Sequence, residues 1–246
     1  MSEFQKISVI VPAHNEERHI GNCLQAIQEA AKSVTIEVEA VVVLNRCSDG
    51  TENIAKEYGA VCIPDDSRCI AKIRNKGVYA ATGEIVVTCD ADSRLHNNAL
   101  AGILEALSSG KTIGGGMSIS FDRKSTGIYL TEIFFNLMIK VTGLPCGAFW
   151  TTKAAFCAVK GFDESLVMSE DLDFAKRLRT YGKSAGKKYV LLKNSPLETS
   201  SRKFDRFGDW SFFKMIFIDA YKIRRSLKGK DTEFVDEYFY DFNDKI

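Results

Sequence analysis

The chain has 246 residues, 45% hydrophobic and 26% charged, which fits one α/β domain or at most two small ones and excludes disordered and low-complexity classes. Its 33 Lys and Arg stand against 32 Asp and Glu, and a net charge of +1 gives no electrostatic reason to expect a nucleic-acid partner. The seven cysteines are odd in number and have no CxxC spacing, the pattern of reduced core thiols in a cytosolic protein.

The amino-terminal apolar run is too short for a secretion signal and is followed at once by acids. No uncharged apolar stretch approaches the ~18 residues of a membrane span, since the best run, Ile128–Leu144, is broken by Glu132 and Lys140. The expected setting is therefore the cytoplasm.

In chain order, Ile7–Val11 is a short β-branched strand ending at Pro12, and His19–Ala31 has helical spacing of Ile20, Leu24, Ile27 and Ala31. Glu37–Leu44 predicts a second strand and Asp49–Tyr58 a helix closed by Gly59. Ala60–Ile63 is a weak third strand, followed by a helix over Ile70–Ala81. Glu84–Cys89 is a fourth strand of the fully buried type, and Asn97–Leu107 a further helix. Strands alternating with helices of about ten residues imply βαβ units and a mostly parallel sheet covered on both faces.

After Gly110 the alternation loosens. Thr112–Phe121 reads as an edge or antiparallel strand, Thr126–Val141 as an apolar helix and Gly147–Thr152 as a strand. Glu170–Tyr181 reads as a helix and Tyr189–Leu192 as a strand. With no repeat and no linker, residues 1–205 are expected to form one domain, its halves being 1–110 and 111–205. Residues 206–246 form a helical extension with an acidic tail. The basic, aromatic segment Arg202–Lys230 either docks on the domain or lies on a membrane surface.

Ligands of open α/β sheets bind outside the carboxyl ends of the parallel strands. Three such ends carry polar clusters here: Ala13 to Glu17, Asn45 to Thr51, and Asp90 to Ser93. Asp90 and Asp92 lie two apart, so in extended chain both carboxylates face one small volume. That is unfavourable unless a cation or sugar hydroxyls lie between them, and hard carboxylate oxygens suit Mg²⁺ or Mn²⁺. Asn15 and Asp49 also read as helix N-caps. Asn45, at its strand's last position, is placed to read a nucleobase edge, and Lys72, Arg74 and Asn75 to reach phosphates. There is no GxGxxG after the first strand, no complete Walker A loop and no serine nucleophile elbow.

Taken together, VIVPAHNEE (Val9–Glu17), NRCSDGT (Asn45–Thr51), RNKG (Arg74–Gly77), DADS (Asp90–Ser93), KGFDE (Lys160–Glu164) and the pair Glu170-Asp171 resemble the family 2 glycosyltransferases. These are inverting enzymes of GT-A fold that use nucleotide-sugar donors, and the resemblance runs over about residues 7–205.

It implies a nucleotide pocket lined by Pro12, Ala13, Asn15, Glu16, Asn45, Asp49 and Ala91, with Arg74 at the diphosphate. Asn45 stands where the family often has a base-binding Asp, which leaves uridine and guanosine both open. Asp90 would contact the ribose or a metal-bound water and Asp92 the divalent metal, Mn²⁺ or Mg²⁺. Asp171 falls at the position of the catalytic base, beside Glu170. Arg202, Lys203 and Arg206 would close on the diphosphate from the C-terminal side. Phe149 and Trp150 would either stack on the acceptor or belong to the core.

The QxxRW motif of processive synthases is absent, implying one sugar per encounter. All three histidines lie in the first half, so no C-terminal histidine is available to the metal. The partners implied are a UDP- or GDP-sugar, an acceptor the sequence does not identify and, through the C-terminal helix, the inner face of a membrane. A catalytically silent nucleotide-sugar binding domain and, less well matched, a sugar nucleotidyltransferase are the alternatives.

Overall fold

The computed structural model describes residues 4–143, 148–166 and 169–218, with no account of the side chains of residues 215–218. In the first half, β1 (Lys6–Ala13), β2 (Glu37–Asn45), β3 (Val61–Asp65) and β4 (Ile85–Thr88) alternate with α1 (Ile20–Ala31), α2 (Thr51–Glu57) and α3 (Ile70–Ala80). A two-residue strand, β5 (Ser93–Arg94), and α4 (Ala99–Ser108) follow. The second half runs β6 (Thr112–Phe121), α5 (Thr126–Thr142), β7 (Phe149–Thr152), α6 (Lys153–Ala158), α7 (Glu170–Ser184) and β8 (Lys188–Thr199). Two short helices, α8 (Arg202–Phe207) and α9 (Ser211–Ile218), come last. The acidic tail lies outside the described residues.

All eight strands join one sheet in the order β3-β2-β1-β4-β7-β6-β8-β5. The pairs β1–β2, β1–β4, β2–β3 and β6–β8 are parallel, and β7 runs antiparallel to both β4 and β6. The sheet is thus mixed but mostly parallel, as expected. β6 is not an edge strand, however, because β8 pairs with its far side. Glycines 114 and 115 make that position tight: a Cβ at Gly114 would lie 2.5 Å from the Trp150 carbonyl oxygen.

Period-2 side-chain alternation sorts the core into two layers. From β1, Ile7, Val9, Val11 and Ala13 face the layer under α1 and α4, while Ile10 faces the layer under α3, α6 and α7. Val42 and Leu44 of β2 go to the first layer and Val41 and Val43 to the second. Trp150 and Phe149, adjacent on β7, divide in the same way. Each such large buried apolar side chain contributes roughly 1.5–3 kcal/mol. At Gly77, a Cβ would fall 2.8 Å from Val43 Cγ2, so only glycine lets α3 lie this close to the sheet. Both layers leave the same edge of the sheet open, where β1, β2, β3 and β4 end.

Candidate active site

At that edge the loops after β1 and β2 lock onto each other. Asn15 takes a left-handed backbone, φ 51°, and its Oδ1 accepts from the Ser48 amide at 2.9 Å. Asp49 accepts from the Glu17 amide at 3.0 Å and from the Thr51 hydroxyl at 2.6 Å, while that hydroxyl accepts from the Glu16 amide at 2.8 Å. Asn15 and Asp49 therefore shape this edge through their loop contacts. Pro12, Ala13 and Ala91 are buried beneath it.

Asn45, expected at a nucleobase edge, is engaged within the fold. Its side chain is 2% exposed, and its amide nitrogen donates to Ser67 O at 2.7 Å and Asp65 O at 3.2 Å. Its Oδ1 accepts from Arg46 Nε at 3.3 Å. The nitrogen end of the amide ties β2 to β3 and the loop after it, while the oxygen end is taken up by the neighbouring Arg46.

Arg74 on α3, expected at the diphosphate, is likewise engaged within the fold. It is 6% exposed and bridges two acids, Asp90 Oδ1 at 2.9 Å and Glu170 Oε1 at 2.8 Å. Paired charges hold its guanidinium firmly protonated against burial. Through Arg74 the loop after β4 is fastened to the first residue of α7, and Asp171 is the next residue.

A second clasp, which the sequence did not announce, acts beside it. Asn75 donates to Phe162 O at 2.9 Å and to Glu164 Oε1 at 2.9 Å, and accepts from the Phe162 amide at 2.8 Å. Gly161 takes φ 63°, and a Cβ there would lie 2.6 Å from Asn75 Oδ1. Thus the RNKG and KGFDE segments form one joint, and it delivers the chain toward α7.

Asp171 caps nothing beyond its own helix start, accepting from the Leu172 amide at 2.7 Å. Burial, reinforced by the neighbouring Glu170 charge and opposed by Arg74, pushes its carboxyl up to about 6. Burial likewise pushes Asp92 up to about 6, against the pull of Arg202.

Arg202 reaches this point because of β5. Ser93 pairs in register with Thr199, so the chain leaving β8 passes directly over Asp92. Its guanidinium forks onto Glu16, at 2.8 and 2.7 Å, and lies 3.0 Å from Asp92 Oδ2. Lys203 sits in the same group, and burial pushes its ammonium down.

Glu16, Asp90 and Asp92 offer the hard oxygen donors that a divalent ion prefers, and Arg202 is a cation already standing on two of them. The residues fit such an ion held jointly by protein and ligand oxygens. Among the described residues no group of three or more His, Cys, Asp or Glu is arranged to hold one alone.

The aromatic pair proposed for an acceptor proves to be core. Trp150 is 0% exposed and donates through Nε1 to Gly116 O at 3.2 Å. Phe149 is 2% exposed and packs edge-on against Phe162 and Phe174.

A mostly parallel sheet with acids gathered at the carboxyl ends of its strands, and an acid-tipped helix across them, is the plan of a GT-A glycosyltransferase. The solved structures agree. *Staphylococcus aureus* TarS 1-349, in complex with UDP-GlcNAc, is 19% identical over 97% of this chain and 74% of that one, with a TM-score of 0.62. The *Pyrobaculum calidifontis* mannosyltransferase PcManGT, in complex with GDP-Man and Mn²⁺, is 20% identical over 85% of this chain and 64% of that one, with a TM-score of 0.61. Residues 8–166 match the family described as glycosyl transferase family 2, and the chain belongs to that family. A curated relative, glycosyltransferase AglE of *Haloferax volcanii*, is 28% identical over 54% of this chain and 46% of its own length. The chain thus spans about half of that relative.

Proposed function

We propose that the protein transfers one sugar at a time from a nucleoside-diphosphate donor to an acceptor hydroxyl, with inversion at the anomeric carbon and assistance from a divalent ion. The observation that carries this reading is Asp171, a half-buried carboxyl of raised affinity for protons at the tip of α7 and tied through Glu170 and Arg74 to Asp90. At neutral pH it is ionised yet basic, the condition a general base needs. UDP-GlcNAc and GDP-Man in the structural neighbours support a nucleotide-sugar donor, and the Mn²⁺ of PcManGT supports a metal.

The nucleotide lies over Pro12, Ala13 and Ala91, with Glu16 at the rim, in this reading. Asp90 and Asp92 would hold the ion, which would supply positive charge against the diphosphate. Arg202 and Lys203 face the same leaving group from α8. Asp171 takes the proton from the acceptor hydroxyl as that oxygen attacks C1 opposite the diphosphate, and such in-line displacement through an oxocarbenium-like state inverts the centre. Glu170, held by Arg74, positions Asp171 and fixes the charge beside it. The sugar is a hexose in this reading, and turnover is non-processive.

We also place the enzyme in the cytoplasm, against a membrane face. No helix among the described residues is long and apolar enough to cross one. Tyr129, Ile133, Leu137 and Val141 form an exposed row at helical i,i+4 spacing on α5, and Trp210 is 55% exposed near its partner helix α9. Flotation with anionic vesicles is expected to carry the protein upward, and its absence from the vesicle fraction removes the membrane contact.

The donor is tested by thermal shift with UDP, GDP, CDP and their sugars, with and without Mn²⁺. One nucleotide is expected to raise the melting temperature more with the metal than without. No shift with any of them contradicts a nucleotide-sugar site.

A further inference from the structure

We propose that Arg202 is the resident cation of the donor site, and that a divalent ion enters only by displacing its guanidinium from Glu16 and Asp92. The inference rests on the metal-assisted reading above.

Three observations carry it. Glu16 and Asp92 have side chains only 7% and 17% exposed, so both charges are largely shielded from water. One guanidinium answers both, with a two-pronged bond to Glu16 and a third contact at 3.0 Å to Asp92 Oδ2. Forked pairs of this kind are the strong ones. The placement is built into the sheet, since Ser93 pairs with Thr199 and Ser201 starts α8 against it by accepting from the Phe204 amide at 2.7 Å.

A divalent ion on Asp92 and a guanidinium 3.0 Å from the same carboxylate would repel each other strongly in so dry a place. The two cations therefore exclude each other. A donor diphosphate changes the balance, because its oxygens accept both the ion and the displaced fork of Arg202. Metal and nucleotide then bind cooperatively, each raising the affinity for the other by the same factor. The clamped state lowers apparent metal affinity by the fraction of time the site stands open, and removing Arg202 removes that penalty.

The test is Mn²⁺ uptake, read as loss of the free-ion electron paramagnetic resonance signal, with and without the nucleoside diphosphate that gives the thermal shift. Wild type is expected to take up Mn²⁺ weakly alone and more tightly with the nucleotide. Arg202→Ala is expected to bind Mn²⁺ alone about tenfold tighter or more, with the nucleotide's enhancement reduced. Arg202→Lys keeps the charge and gives up the fork, so it moves uptake the same way by a smaller factor, and it serves if the alanine variant does not fold. If neither variant binds Mn²⁺ more tightly than wild type while wild type responds to nucleotide, the inference is overturned and the metal reading stands. If wild type takes up no Mn²⁺ even with nucleotide, both fall.

Discussion

The two ends of the parallel sheet treat a buried carboxylate in opposite ways. Where β1 and β2 begin, Glu39 accepts from Ser8 Oγ at 2.6 Å, from the Thr82 amide at 2.7 Å and from Lys6 Nζ at 2.9 Å. Burial would push it up, yet these bonds outweigh burial and hold it at about 2. Where the strands end, burial wins, and Asp92 and Asp171 are pushed up to about 6. The difference lies in donors. Glu39 is surrounded by groups that hold the charged form, whereas five acids at the other end (Glu16, Asp90, Asp92, Glu170 and Asp171) share Arg74, Arg202 and Lys203. One end satisfies its carboxylate within the fold, and the other gathers more acids than cations.

The largest effect expected from breaking this contrast is at Arg74. Arg74→Ala leaves the buried Glu170 and the half-exposed Asp90 without their cation and should cost about 3 kcal/mol, read by urea denaturation. An unchanged midpoint would mean the bridge is idle.

Asp171→Asn should act in the reverse direction. Its carboxyl binds a proton more tightly folded than unfolded, so its stabilising contribution is complete below the unfolded value and is lost as pH rises through about 6. At pH 7.5 the asparagine variant should therefore be the more stable protein, by on the order of 1–2 kcal/mol after relaxation. A lower melting temperature would show that the ionised acid is well solvated.

Glu39→Gln should destabilise at neutral pH by on the order of 2 kcal/mol, since a depressed carboxyl contributes above its unfolded pKa. That contribution disappears as pH falls from about 4.5 to about 2, so the difference from wild type should vanish there. Nucleotide binding should be untouched. The smallest effect is in the pH profile: turnover should fall below about pH 6, more steeply than one ionisation allows, because Asp171 and Asp92 protonate together. A flat profile down to pH 5 would separate Asp171 from the chemistry.

Much of this arrangement is legible in the residues themselves. The β-branched runs around Val9, Val42 and Val87 predict the parallel strands because strands covered on both faces read as continuous apolar runs. The same feature hides Trp150 and Phe149, since a strand with no polar alternation does not say which ring faces which layer. The clusters around Glu16 and Asp90 mark the edge correctly. What local pattern does not carry is partnership across the fold. Asn45 and Arg74 have the chemistry of ligand-binding groups, and only the approach of Ser67, Asp90 and Glu170 turns them inward. The two-residue β5, too short to show any period, is what brings Arg202 to Asp92.

The central claim, that Asp171 is a base in a nucleotide-sugar transferase, is tested most directly by Asp171→Asn assayed twice: for donor affinity, and for release of nucleoside diphosphate from the donor. The account predicts donor affinity within about twofold of wild type and turnover lower by about 10²–10⁴-fold. Turnover surviving at the wild-type rate would contradict it.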